Sequence, residues 1–277
     1  MGFRCIISLC LLLCTAALHA KDYDITAFGA VADGKTLNTE AVQAAVDQAH
    51  ADGGGRVIIP KGRFLSGGVI LKSGVELHLL KGGVLLGSTD PEDYVKLNRW
   101  KALVLADSAE NIAITGKGIL DGQGAELALN IDSLFYIGKI DSVQYRLRLR
   151  RPKYYLRPQI IEFMRCTNVR VTGVTLQNAA CWVQTYELCK NVVVDNIRVE
   201  SDTYWNNDGI DISDCKNVRI TNSYFNSADD GICLKSYHGL SYTHPEIKMC
   251  DSIYIANCTV RSSASAVKLG SASFGGF

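Results

Sequence analysis

The sequence predicts an all-β chain, a single-stranded parallel β-helix with an N-terminal capping helix. Three observations carry this. First, five segments share one pattern: NIAITGKGILDG (111–122), NVRVTGVTLQNA (168–179), NVVVDNIRVESD (191–202), NVRITNSYFNSA (217–228) and SIYIANCTVRSS (252–263). Their starts lie 57, 23, 26 and 35 residues apart, so the basic period is about 23–26 and the larger gaps carry insertions, a spacing expected of stacked repeats. Second, each segment alternates apolar and polar residues with period two, the signature of strands, and bends at Gly or Asn, which tolerate left-handed backbone angles. Third, the 277 residues include 25 Gly but only 5 Pro, which suits many tight turns between strands that cannot tolerate Pro. One such unit cannot bury its own apolar face, whereas coil stacked on coil can.

The elements follow in chain order. Arg4 and the apolar run from Cys5 to Leu18 read as a secretory signal peptide, too short for a membrane span of ~20 residues. Residues 1–20 are assigned to it and 21–277 to the β-helix domain, which implies an exported protein with no membrane span. Residues 38–50 form the cap, because an uncovered solenoid end would pair with other chains. Asn38 or Thr39 is the N-cap, Ala41, Val42, Ala45, Val46 and Ala49 make one apolar stripe, and Gly53, Gly54 and Gly55 stop the helix. Strand-like runs at 56–59, 69–72, 75–80 and 84–86 make the first coils. Between 126 and 158 the pattern breaks, and Arg146, Arg148, Arg150, Arg151, Lys153 and Arg157 crowd into a short stretch. This is either a solvated insertion or a basic loop near an anionic substrate. The sequence stops at Phe277 within what reads as the next strand, so an incomplete C-terminal end of the solenoid is expected.

Composition narrows the function classes. The formal charge is +1 with 47% apolar and 21% charged residues, which is globular rather than disordered. Removing Arg4 with the leader makes the mature chain neutral. No basic footprint points to nucleic acid. Beyond the leader, Cys166, Cys181, Cys189, Cys215, Cys233, Cys250 and Cys258 remain. Export permits disulfides, but the count is odd and no CxxC pair offers a zinc site. Cys166, Cys189, Cys215 and Cys250 each stand two residues before a repeat, so a stack of small buried residues is expected rather than a disulfide ladder.

The chemistry lies in three segments with one turn-to-strand pattern: NDGIDI (207–212), DDGICL (229–234) and ASAVKL (264–269). Solenoid winding stacks Asp208, Asp230 and Ser265 in a column with Asp229 beside Asp230. Carboxyls this close cannot all ionise freely, so at least one pKa should rise, and a raised acid beside an ionised base is the equipment of glycoside hydrolysis. Asx residues also fill solenoid turns and acidic clusters also bind calcium. The one-coil spacing of Asp208 and Asp230 favours the catalytic reading. Trp182, Tyr204 and Trp205 lie near the column, as sugar platforms or, for Trp182, as core. Lys235 and Lys268 are expected to face outward, where they could meet a carboxylated sugar.

At these residues the chain resembles the polygalacturonase family of glycoside hydrolases, family 28, whose fold is a right-handed β-helix. The resemblance runs through FGAVADGKTLNTEAVQAAVDQAHADGGGRVIIPKGRF (28–64), LDGQG (120–124), RPQIIEF (157–163) and the acidic segments, over nearly all of the mature chain. CWVQTYEL (181–188) and YWNNDGIDI (204–212) look more like its bacterial branches. The resemblance implies an inverting hydrolase of pectic polysaccharide, with Asp229 as general acid and Asp208 and Asp230 holding and deprotonating the water. It also implies Asn206 as a substrate contact, a monomer, and no cofactor or metal. Where the family carries Gly-His-Gly this chain has Ala264, Ser265 and Ala266, and the family's later Arg-x-Lys motif falls past Phe277. These departures weaken polygalacturonate as the specific substrate and make rhamnogalacturonan comparable. Two alternatives stand beside this: a pectate or pectin lyase on the same scaffold, and an inactive carbohydrate-binding fragment.

Overall fold

The computed structural model describes residues 21–146, 151–237 and 249–277; the leader, Arg148 and Arg150 lie outside them. The chain is a right-handed parallel β-helix with three parallel sheets of 8, 8 and 7 strands. A complete coil gives one strand to each sheet in turn. Thr167–Thr172 enters the first sheet, Thr175–Gln177 the second and Gln184–Glu187 the third, and the chain then returns to the first at Lys190–Asp195. Neighbouring coils pair in strict register: Val169, Val192, Val218 and Ile253 stack in the first sheet, and Leu176, Val199, Phe225 and Val260 in the second. These stacks fill the interior, so apolar alternation in sequence becomes a continuous core.

The Asn that opens four of the five units has a physical cause. Asn111, Asn168, Asn191 and Asn217 all have φ between 55° and 58°, the left-handed region that Asn tolerates better than other side chains. Their amides form an exposed ladder, each Nδ2 donating to the Oδ1 of the Asn one coil earlier: Asn168 to Asn111 at 2.9 Å, Asn191 to Asn168 at 2.8 Å and Asn217 to Asn191 at 2.8 Å. Cys166, Cys189, Cys215 and Cys250 are buried free thiols. Each donates to a carbonyl near the bend, as Cys215 does to Ser213 and Tyr186, both at 3.3 Å.

The cap is helix α1, Thr39–Ala51, which occupies the place of the first coil's third strand. Val42, Ala45, Val46 and Ala49 face the core. Gln43 seals the exposed edge of the third sheet: its Oε1 accepts from Ile70 N (2.8 Å) and its Nε2 donates to Ile70 O (3.0 Å). Asn38 does not cap the helix with its side chain. It is buried and ties the preceding loop, accepting from Val31 N at 2.6 Å and donating to Thr36 O at 2.6 Å.

Two expectations need correction. The 69–72 run forms only Val69–Ile70, while Gly62–Ser66 and Ala102–Asp107 are strands that alternation missed. Ala102–Asp107 is buried on both faces over most of its length, and such strands read as continuous apolar runs. Arg148 and Arg150 of the basic stretch lie outside the described residues, and the break at 126–158 is partly helical. It contains helix α2, Gly124–Tyr136, which buries Leu127, Ala128 and Ile131. It ends in Arg157, which is 2% exposed.

Candidate active site

The site lies on the outer face of the third sheet, where strands Gln159–Met164, Gln184–Glu187, Ile210–Ser213, Ile232–Ser236 and Val267–Ser273 run side by side. Its first feature is a column at the turns entering these strands. Val183 N donates to Asp208 O (2.9 Å), Gly209 N to Asp230 O (2.8 Å) and Gly231 N to Ser265 O (2.8 Å). Trp182, Asp208, Asp230 and Ser265 therefore hold equivalent places on four successive coils. The glycines after the aspartates permit this close approach. A Cβ on Gly209 would lie 2.6 Å from Gly231 O, and one on Gly231 would lie 2.2 Å from Val260 Cγ1.

Asp208 and Asp230 are buried, and a carboxylate oxygen of each lies within 4.8 Å of the other and of Cys233 Sγ. Asp229 is half-buried; its Oδ1 accepts from Asp230 N (3.0 Å) and its carbonyl from Ser262 Oγ (2.6 Å). Both lysines are paired with acids. Lys235 Nζ lies 2.7 Å from Asp211 Oδ1 and 3.4 Å from Asp208 Oδ2, and Lys268 Nζ lies 2.7 Å from Asp230 Oδ2. With protein ammonium groups already on both carboxylates, the Asp208, Asp230 and Cys233 trio is not read as a cation site.

Burial sets the proton affinities. It pushes Asp208 up to about 8, aided by the negative Asp211 and opposed by Lys235. Burial raises Asp211 too, against the pull of Lys235. Burial opposes the charge on Lys235, but Asp211 and Asp208 outweigh it and its pKa lies above the ordinary value. Glu162, on the same face two coils earlier, is pushed up to about 7 by burial despite backbone N–H groups of Trp100 and Arg99 donating to its Oε1 at 2.8 and 3.1 Å.

A turn network fixes the aspartate segment. Asn207 is fully buried and donates to Ala179 O (2.9 Å) and Cys181 O (2.8 Å), while its Oδ1 accepts from Ser201 Oγ (3.0 Å). Asn206, expected to touch substrate, is held by Arg157 through its side-chain oxygen: Nη2 donates to Asn206 Oδ1 (3.0 Å) and Nη1 to Ala180 O (2.9 Å) and Trp205 O (2.8 Å). Arg157 thus bridges two coils behind the site.

Beside the aspartates lies a cavity of about 200 Å³, below the ~300–1,000 Å³ usual for drug-sized ligands. Trp100, Tyr154 and Trp182 form one wall, with ring centroids 5.0–5.8 Å apart. Trp182 is therefore a lining residue rather than core, and Trp205 is 60% exposed. Arg99 spans the far side, over the rings of Trp100 and Tyr237 and 3.4 Å from Glu187 Oε2. Sequence reasoning missed Arg99, Trp100, Tyr154, Glu162, Glu187, Asp211 and Tyr237. Asp211 did carry a signal, since it stands between the core residues Ile210 and Ile212 and must point outward. Glu162 and Glu187 sit in strands in the same way. The aromatic wall comes from loops that no periodicity marks.

Residues 53–268 match the family model of Glycosyl hydrolases family 28. The chain belongs to this family. It is 27% identical to an exo-poly-alpha-D-galacturonosidase of Dickeya chrysanthemi, over 93% of this chain and 48% of that protein. Among solved structures it resembles an exopolygalacturonase from Thermotoga maritima (30% identity, TM-score 0.73, 91% of this chain and 63% of that one). It also resembles a Parabacteroides merdae chain whose assignment as a glycosyl hydrolase is provisional (33%, 0.72, 87% and 98%). The chain spans about half the length of the first curated family 28 relatives it matches. Among the described residues no helix is long and apolar enough to cross a membrane.

Proposed function

We propose that this protein is an exported, monomeric glycoside hydrolase that cleaves a pectic polysaccharide, polygalacturonate or rhamnogalacturonan, with inversion. Its catalytic β-helix spans 21–277, and no cofactor takes part. The observation that carries the reading is the pair of buried carboxylates, Asp208 and Asp230, brought within 4.8 Å by successive coils beside an aromatic-walled cavity. Asp229, the least buried of the three, donates the proton to the leaving oxygen. Asp208 and Asp230 hold the attacking water, and one of them takes its proton. Burial raises Asp208 to about 8 rather than leaving it a ready base, so Asp208 holds a proton near neutral pH. The water-activating form arises when that proton leaves, with Lys235 and Lys268 compensating the negative charge that results. In an inverting enzyme the acid and base carboxyls stand ~6.5–9.5 Å apart, with room for water between them.

Product analysis on polygalacturonate and rhamnogalacturonan tests the reading. Hydrolysis yields new reducing ends with inverted anomeric configuration by NMR. Asp229→Asn should lower kcat by about 10²–10⁴-fold, the usual contribution of a positioned acid, with the circular dichroism spectrum unchanged. Products absorbing in the ultraviolet would indicate a lyase, and binding without new reducing ends would indicate an inactive carbohydrate-binding protein. Either result removes the proposal.

A further inference from the structure

The cavity beside the aspartates is built for a sugar ring but not for a uronate. Its wall is aromatic, formed by Trp100, Tyr154 and Trp182 with ring centroids 5.0–5.8 Å apart. Its floor is the outward column of the third sheet, where Thr185 and Asp211 sit in register on successive strands and both are buried. Two cations reach the cavity, and each is already held by protein carboxylates. Arg99 Nη1 is 3.4 Å from Glu187 Oε2, and Lys235 Nζ is 2.7 Å from Asp211 Oδ1 and 3.4 Å from Asp208 Oδ2. The two lining acids, Glu187 and Asp211, therefore already hold the two lining cations, and a ligand carboxylate would have to displace one of them. A uronate would then leave a protein carboxylate beside it without its cation in a poorly hydrated place, which is costly. Hydroxyl groups meet no such penalty, because carboxylate oxygens and the Ser213 and Thr185 hydroxyls can accept from or donate to them.

We propose that this cavity is a subsite for a neutral, hydroxyl-bearing pyranose, and that Glu187 is the residue that excludes uronates from it by occupying Arg99. The inference rests on the glycoside hydrolase reading for its meaning in catalysis, but the binding it predicts does not require turnover. A neutral sugar at this place is one that an alternating pectic backbone or a neutral side chain supplies, whereas a homopolymer of galacturonate does not.

The test uses the full chain and intrinsic tryptophan fluorescence, because Trp100 and Trp182 line the cavity. Titration with L-rhamnose and D-galactose should change the emission, and D-galacturonate should bind at least 10-fold more weakly. Glu187→Gln removes the carboxylate charge beside Arg99 and should narrow or reverse that ratio by about 10-fold or more, mainly by tightening galacturonate. Trp182→Ala should abolish the signal change for the neutral sugars. Galacturonate binding as tightly as the neutral sugars, no saccharide binding at all, or a Glu187→Gln variant whose ratio is unmoved would each overturn the proposal. Neutral-sugar binding in a protein that hydrolyses no pectic polymer would leave this inference standing and remove the hydrolase reading.

Discussion

Two outer faces of the same coils obey different rules. On the first sheet the outside repeats: Asn168, Asn191 and Asn217 hold the same left-handed turn and pass the same hydrogen bond from coil to coil. On the third sheet the equivalent outward places hold Glu162, Thr185, Asp211, Cys233 and Lys268, five different residues on five stacked strands. The first face is exposed and needs only to keep the coils in step, so each coil solves the problem alike. The third face is covered by the insertion and by loops, which buries carboxyls and raises their proton affinity. A stack of identical acids there would be untenable, because like charges in a low-dielectric site repel strongly. Departure from the repeat therefore marks the place where the fold carries chemistry.

The largest expected structural effect of breaking the third face comes from Arg157. It joins the coil of Ala180 to the coil of Trp205 and Asn206 while 2% exposed. Arg157→Met keeps the bulk but leaves three acceptors without their donor. The expected cost is about 3 kcal/mol, since each unsatisfied buried group costs ~1–3 kcal/mol and some relaxation follows. Urea denaturation should show it as a lower midpoint with an unchanged slope. Activity should fall as well, through displacement of the 206–208 turn. A variant as stable as the parent would mean that water satisfies these carbonyls and that Arg157 positions nothing.

Next in size is the pH dependence of stability. Asp208 has an ordinary value of 3.8 and is raised to about 8 in the fold. Between those values the native state keeps a proton that the unfolded chain has released, so stability decreases as pH rises through the window. Glu162, raised to about 7 from 4.5, acts in the same direction over its own narrower window. Melting temperature should therefore drop between pH 5 and pH 8, and Asp208→Asn should make that drop shallower without removing it. Parallel pH profiles for parent and variant would show that Asp208 is ionised in the free site. The exposed Asn ladder carries no titrating group, so changes there should leave the profile alone.

Much of the first face was legible in the sequence and rather little of the third. Repeat period, cap and coil stacking follow from alternation and from Asn at the bends, because these depend on neighbours close in sequence or one period away. The column through Asp208 and Asp230 could be read for the same reason. The partners of those aspartates could not. Lys235 and Lys268 do lie on the outer face of the third sheet, but they pair with acids there because burial makes an unpaired carboxylate costly, and this depends on how the loops cover the sheet. Trp100 and Tyr154 meet Trp182 across more than one coil from segments without period. Arg157 looked like part of a basic stretch, and only the fold shows that backbone carbonyls, rather than a ligand, surround it.

The smallest effect tests the repeating face itself. Asn191 combines φ of 55° with two ladder hydrogen bonds, one to Asn168 and one from Asn217. Two substitutions separate these contributions. Asn191→Gly keeps the backbone angle available and loses only the exposed hydrogen bonds, for which ~0.5–1 kcal/mol is expected. Asn191→Ala loses the same bonds and adds the left-handed penalty of a side chain with a Cβ, a further ~1 kcal/mol. Glycine should therefore be the milder change here, the reverse of the usual order within a strand. Equilibrium unfolding of both variants decides the matter. If Ala and Gly destabilise equally, the amide ladder rather than the turn angle explains why these coils begin with Asn.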